Sequence, residues 1–482
     1  MSTVISPVEG AESTRSTHVG AVVSVLALGG IVMSLMQTLV VPIVPELPTL
    51  LHASASDTSW AITATLLAGA VVTPMVGRLG DMVGKRRMLL LSVCVLVVGS
   101  LVCALSSSLA PIVVGRALQG FGVGVVPLGI SIMRDELPAE KLGSATAMMS
   151  ASLGVGGALG LPAAALIAQN ANWHVLFWTS AGLGVLVFAL VLVFVPESRV
   201  RSGGRFDLIG GIGLSAGLIS LLLAISKGAD WGWISLPTDG LFTAAVGVLL
   251  LWGWWELRTA APLVDLRTTA NRQVLLTNLA SVMVGFAMFA MSLVLPQLLQ
   301  MPTATGYGLG QSMLVAGLCL APSGLVMMAM AAGSARVTAA CGPKISLIIG
   351  SVVIAAGYVL GVVFMDAAWQ TIIVGCVVGG GIGFAFGAMP ALIMSAVPVS
   401  ETASANAVNS LMRSIGTSTS AAVVGVVLAH LTTRFGTHAL PSQNGFRTAM
   451  LIGAAAAIAA ALLTTFVPGR GDRTTVGMTS EP

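Results

Sequence analysis

The sequence predicts an all-α membrane protein in which fourteen helices cross the bilayer as two six-helix bundles with two helices inserted between them. Three observations carry this expectation: a charge-poor composition, fourteen apolar runs of spanning length, and a repeat that recurs eight runs later. Of 482 residues, 56% are hydrophobic and only 8% are charged, and the mean hydropathy is +0.97. A soluble domain carries roughly 25% charged residues, so this chain has too few to cover a water-facing surface. Disorder is excluded by the same hydrophobicity, and a collagen-like chain by the lack of a glycine period. The net charge of +4 is spread too thinly to make a nucleic-acid surface. The expected solvent is the lipid bilayer.

A helix needs about 20 apolar residues to cross the hydrocarbon core. Such runs lie at 19–44, 57–77, 88–108, 111–133, 143–169, 173–195, 207–226, 239–257, 273–298, 308–332, 343–365, 368–396, 404–430 and 446–467. They divide the chain into an N-terminal tail (1–18), a first bundle (19–195), a segment with two linker spans (196–272), a second bundle (273–467) and a C-terminal tail (468–482). No basic stretch with a short apolar core precedes the first span, which is expected to act as its own insertion signal. With the N-terminus in the cytoplasm, 17 Lys and Arg residues fall on that side and 3 on the other, while Arg116 and Arg413 lie inside spans. That bias predicts a multi-pass plasma-membrane protein with both termini cytoplasmic. Trp252, Trp254 and Trp255 at one end of span 8, and Trp231 and Trp233 before its other end, read as interfacial aromatic belts. The five cysteines show no metal-ligand spacing and read as small hydrophobes. Neither a metal nor a cofactor is expected.

The repeat fixes the grouping of the spans. The segment after span 2 runs from Gly77 to Arg87, and the one after span 10 from Ala335 to Lys344. Aligning Gly84 with Gly342 also aligns Arg78 with Arg336 and Arg86 with Lys344. Gly120, Gly122 and Gly124 of span 4 are answered by Gly379, Gly381 and Gly383 of span 12. Pro138 and Glu140 before span 5 are answered by Pro398 and Glu401 before span 13. Parallel halves of this kind are the architecture of alternating access, in which two bundles rock about a site near the midplane.

Within the first segment, Gly77, Gly80 and Gly84 are expected to let the backbone turn tightly against neighbouring helix ends. Asp81 can accept charge-assisted hydrogen bonds from a facing helix N-terminus or a basic residue such as Arg134. Arg78, Lys85, Arg86 and Arg87 are cytoplasmic charges that also set topology. Together they read as a latch made in one conformation and broken in the other. The second half carries Ala339 where the first has Asp81, so the latch is expected on one side only.

These residues carry a family resemblance. Gly77 to Arg87 resembles the signature loop of the major facilitator superfamily, and Arg116-Ala117-Leu118-Gln119-Gly120 resembles its span 4 motif. The fourteen-span plan is similar to the multidrug and antibiotic efflux branch, usually drug:proton antiporters. Gly154 to Pro162 resembles the antiporter motif, with Leu161 between Gly160 and Pro162 and Ala163-Ala164 where a glycine pair is usual. The resemblance implies the major facilitator fold and a monomeric exporter rather than an enzyme. Gly156, Gly157, Gly160 and Pro162 also read from their own chemistry as close packing with a hinge.

Arg116 should face the protein interior, because a central arginine costs about 3 kcal/mol in lipid. There it can bond backbone carbonyls of span 1, meet a substrate anion or modulate a proton site, with Gln119 beside it at i+3. Proton coupling by carboxylate needs a buried acid, yet none of the 18 acids lies mid-span. In the efflux branch an acid usually stands just before Gln37-Thr38; here Met36 stands there. Glu46 and Asp57, at the outer mouth, are the remaining acids placed to take protons from outside.

The expected cavity draws on spans 1, 2, 4 and 5 and their repeats. Its candidate lining is Met33, Met36, Gln37, Trp60, Met148, Met149, Asn278, Phe286, Phe289, Gln297, Phe384, Phe386, Asn406, Asn409 and Arg413. An adaptable Met and Phe surface with a few amides suits small hydrophobic or amphipathic substrates. The leading functional reading is export of such compounds, with or without proton coupling. Alternatives are transport of lipid or another amphiphile without a carboxylate proton cycle, and a non-transporting receptor on the same fold. No metal cluster, nucleophile elbow or phosphate loop points to an enzyme.

Overall fold

The computed structural model describes residues 9–40, 43, 46–198, 200–435 and 438–468. Residues 1–8 of the expected N-terminal tail, residues 469–482 of the C-terminal one with Arg470 and Arg473, and Arg199 lie outside the described residues. Among those described, fourteen helices are long and apolar enough to cross a membrane. The first bundle contains α1 (Glu9–Thr38), α2 (Trp60–Val83), α3 (Lys85–Ala104), α4 (Leu109–Glu136), α5 (Ala139–Asn170) and α6 (His174–Phe194). The two inserted helices are α7 (Leu208–Trp231) and α8 (Leu236–Arg258). The second bundle contains α9 (Arg272–Gln300), α10 (Met313–Cys341), α11 (Pro343–Val363), α12 (Ala368–Met394), α13 (Thr402–His430) and α14 (Gln443–Thr465). A short antiparallel hairpin, Thr432–Phe435 with His438–Pro441, joins α13 to α14.

Four boundaries depart from the sequence expectation by six residues or more. The α1 helix already begins at Glu9, ten residues before the expected start of the span. The first helix stops at Thr38 instead of continuing to residue 44; Pro42 supplies no backbone donor and disfavours helix at the residue before it. Conversely, α2 and α10 run past their expected ends at 77 and 332 to Val83 and Cys341. A charged residue marks where lipid ends, not where a helix ends. These two helices stop at Gly84 (φ +133°) and Gly342 (φ +89°), conformations that side-chain-bearing residues adopt only under strain. The expected Gly77–Arg87 loop is therefore one residue long. Gly77, Arg78, Gly80 and Asp81 lie on the last turns of α2, and Lys85, Arg86 and Arg87 open α3.

The largest apolar core of each bundle is distinct, the first also taking in Met394 and Ala403 of the second half. One gathers Leu26, Leu89, Leu128 and Met149 of the first half, the other Val284, Ile354, Phe386 and Phe446 of the second. The inserted helices are unequal. Leu214, Leu218 and Leu222 of α7 pack with Ala70 of α2 and with Val408 and Leu411 of α13, covering a seam between the bundles. By contrast, only 11% of the apolar window of α8 is buried, so its outer surface is left to lipid. The face carrying both ends of the fold and most Lys and Arg residues is called the basic face below.

Candidate functional site: a basic-face latch and a central cavity

Asp81 sits on the last turn of α2 with no solvent exposure. Its carboxylate accepts the backbone N–H groups of Ala403 and Ser404, at 3.2 and 2.8 Å. Those donors belong to the first turn of α13, whose N–H groups lack helical partners and whose dipole favours an anion. Gly77 brings the helices close enough: a Cβ there would stand 2.9 Å from the Ala403 carbonyl oxygen. Arg134, at the end of α4, grips the same stretch. Its guanidinium donates to the carbonyls of Met394, Val397 and Pro398 at 2.8, 3.2 and 3.4 Å, and to Thr402 Oγ1 at 2.6 Å. Asp81 and Arg134 thus make six hydrogen bonds from the first bundle to the second. They act side by side rather than as an ion pair with each other.

Lys85 departs from its reading as a water-facing topology charge. It is fully buried, with Nζ 2.6 Å from Asp135 and 3.8 Å from Asp81. A buried ammonium needs such compensation, and Asp135, next to Arg134, supplies it. The segment after α6 completes the arrangement. Ser198 donates to Asp135, the Ser202 N–H donates to the Asp81 carbonyl at 2.7 Å, and Arg78 reaches Ser202 Oγ at 3.4 Å. Arg86 donates to the Leu192 carbonyl at 2.6 Å, and Arg87 lies 3.7 Å from Glu197. A Cβ on Gly84 would sit 2.6 Å from the Glu197 carboxylate, which would have to swing aside. Sequence reading missed Asp135, Glu197, Ser198 and Ser202; opposite charges at 134 and 135 were the available signal.

Arg116 is buried inside the first bundle. Its Nε donates to the Ala61 carbonyl of α2 at 2.9 Å, and its NH1 group to Gln119 Oε1 at 2.7 Å. Gln119 passes the chain on to Ser100 Oγ at 2.8 Å. The carbonyl partner therefore comes from span 2, not span 1. The Gly120–Gly124 stretch after Gln119 tightens to a 3₁₀ turn, allowing close packing on α2.

Between the bundles lies a cavity of about 120 Å³, walled by α1, α2, α4, α5, α9 and α13. From the expected lining it takes Met33, Gln37 and Arg413, and it adds Ser34, Met288, Ser410, Ser414 and Thr417. Helical rotation explains the sorting. On α1 the cavity stripe is Met33, Ser34 and Gln37, and Met36 turns into the bundle core at 2% exposure. Met149, Phe286 and Phe386 are likewise core residues, while Met148, Phe289 and Phe384 are partly buried away from the cavity wall. Asn406 turns back to the Thr402 carbonyl at 2.9 Å; Asn409 bonds Asn278 at 2.9 Å and Ser281 at 2.7 Å. Of Asn406, Asn409 and Arg413, Arg413 is the one that lines the cavity, braced by Ser410 Oγ at 3.1 Å and by the Phe386 ring at 4.8 Å.

The remaining candidates lie elsewhere. Gln297, Glu46 and Asp57 are exposed, Asp57 accepts from Ser54 Oγ at 2.6 Å, and none of the three lines the cavity. Trp60 stands 5.2 Å beneath the Lys227 ammonium. The α5 motif forms no break: the helix continues through Pro162. Gly156 and Gly160 instead admit α1, since a Cβ on either would collide with Ile31 O or Thr38 Oγ1.

The family model described as Major Facilitator Superfamily matches residues 26–421. An uncharacterised MFS-type transporter of Mycobacterium tuberculosis is 31% identical over 304 residues, 62% of this chain but only 44% of that one. The multidrug resistance protein Stp of the same species is 26% identical over 405 residues, 83% of this chain and 74% of that one. Among solved structures, the proton:xylose symporter XylE superposes with a TM-score of 0.64 at 16% identity, over 94% of this chain and 97% of that one. At that identity the likeness carries the fold alone.

Proposed function

Since the chain belongs to the Major Facilitator Superfamily, we propose that it is a monomeric alternating-access transporter exporting hydrophobic or amphipathic small molecules. The single observation that carries this reading is a cavity walled by both bundles, with the basic face held shut by Asp81 and Arg134. The 17-to-3 bias of Lys and Arg makes the basic face cytoplasmic, with both termini on that side of the plasma membrane. The bundles 19–195 and 273–467 are the rocking units, and 196–272 spans their seam. In this cycle the latched form closes the cytoplasmic side. Release of the α13 N-terminus and the 394–402 carbonyls lets the bundles part there. The name of the Mycobacterium tuberculosis multidrug resistance protein supports drug-like cargo.

One observation favours a second reading, transport without a carboxylate proton cycle: among the described residues, no Asp or Glu lines the cavity. Purified protein in lipid vesicles, given a fluorescent amphiphile with and without an imposed pH gradient, tests both. Gradient-driven movement supports proton-coupled export, and movement indifferent to the gradient supports the second reading. If no amphiphile moves, transport itself is refuted.

A further inference from the structure

We infer that the central cavity selects amphipathic anions, an apolar body bearing a carboxylate, sulfonate or phosphate ester, and that Arg413 is the group that receives the charge. The inference rests on the reading of this cavity as the substrate site.

Arg413 is the charged residue on a wall otherwise made of apolar, hydroxyl and amide groups. Guanidinium does not lose its proton in proteins, so the cavity is cationic throughout the physiological range. The four ion pairs found among the described residues join Lys85 to Asp81 and Asp135, Arg87 to Glu197, and Lys227 to Asp230. None involves Arg413. Its partners are a neutral hydroxyl, Ser410, and the face of Phe386, which brace the cation without neutralising it.

The hydrogen-bonding inventory points the same way. Ser34, Ser414 and Thr417 face the cavity, but their hydroxyl protons are committed to the carbonyls of Leu153, Ser410 and Ser414. Arg413 offers five N–H donors, of which one bond, to Ser410, is made among the described residues. An acceptor-rich, negatively charged headgroup matches that surplus. A lipophilic cation would meet like charge in a chamber that no acid among the described residues lines.

The test uses full-length protein in nanodiscs, with empty nanodiscs subtracted for lipid partition. Three probes are compared: anilinonaphthalene sulfonate, its neutral relative N-phenyl-1-naphthylamine, and the cation tetraphenylphosphonium. Expected is a loss of about tenfold in sulfonate affinity in Arg413→Gln, equivalent to about 1.4 kcal/mol. The neutral probe should change by less than about twofold, and Arg413→Lys should restore most of the sulfonate binding. Gln37→Glu, which adds an acid to the same wall and leaves Arg413 in place, should also weaken the sulfonate and strengthen the cation. It keeps the test available if Arg413→Gln does not fold. Cation binding as tight as that of the sulfonate in the wild type, or sulfonate binding unmoved by these changes, overturns the inference. The same probes in vesicles separate its failure from that of the transport reading. Movement of the neutral or cationic probe without the anion removes only the anion preference; movement of none removes both.

Discussion

Asp81→Asn is the sharpest perturbation of the latch, because it removes a charge while keeping the shape. The carboxylate accepts two α13 N–H groups at 3.2 and 2.8 Å, and hydrogen bonds to a charged group contribute about 1.5–3 kcal/mol each. Asparagine keeps one acceptor oxygen and turns an NH2 group toward a helix terminus made of donors. Lys85 retains Asp135 at 2.6 Å, so the substitution does not strand its ammonium. A loss of about 3 kcal/mol is expected in the latched form alone, roughly a hundredfold in the latched-to-released ratio. A released form populated at about 1% would then reach about half. Spin labels at Val83→Cys and Val399→Cys, positions 43% and 44% exposed beside the latch, read this by double electron–electron resonance once the five native cysteines are replaced. The expected result is a second, longer distance in the variant. A folded Asp81→Asn protein with the wild-type distance distribution would refute the reasoning.

Arg134→Ala, which removes four bonds to residues 394–402, should lengthen the same distance. Combined with Asp81→Asn it should add less than the sum, because both side chains hold one segment. Lys85→Met leaves Asp81 and Asp135 buried without their cation and should cost about 3–5 kcal/mol, seen as a lower Tm; adding Asp135→Leu should recover part of it. Arg116→Lys should lower stability by about 1–3 kcal/mol, since an ammonium does not reproduce the fork that holds Ala61 and Gln119. Probe affinity should stay within about twofold, because Arg116 does not line the cavity. Gly84→Ala, at φ +133° and against Glu197, should cost about 1–3 kcal/mol by thermal melting. Gly342→Ala, at φ +89° with open space around it, should cost less.

The sequence by itself determined the fold class and the order of the spans. Both follow from one-dimensional quantities: hydropathy over about 20 residues, and the spacing of Gly84 and Gly342 in the repeat. It also marked Asp81, because an acid at the end of a span has no topological purpose. What it did not contain was the partner of each group. Hydropathy showed that Lys85 lies at a membrane end, but only packing revealed that α3, α4 and the segment after α6 enclose it with Asp135 and Ser198. Arg116 and Arg413 look alike in sequence, two cations within spans. Tertiary structure turns one into the brace of a single bundle and the other into the charge of a chamber shared by two. The physical reason is rotational. Period and composition fix how far a residue sits across the membrane, whereas the direction of its side chain around the helix gains meaning only when the neighbouring helices are in place.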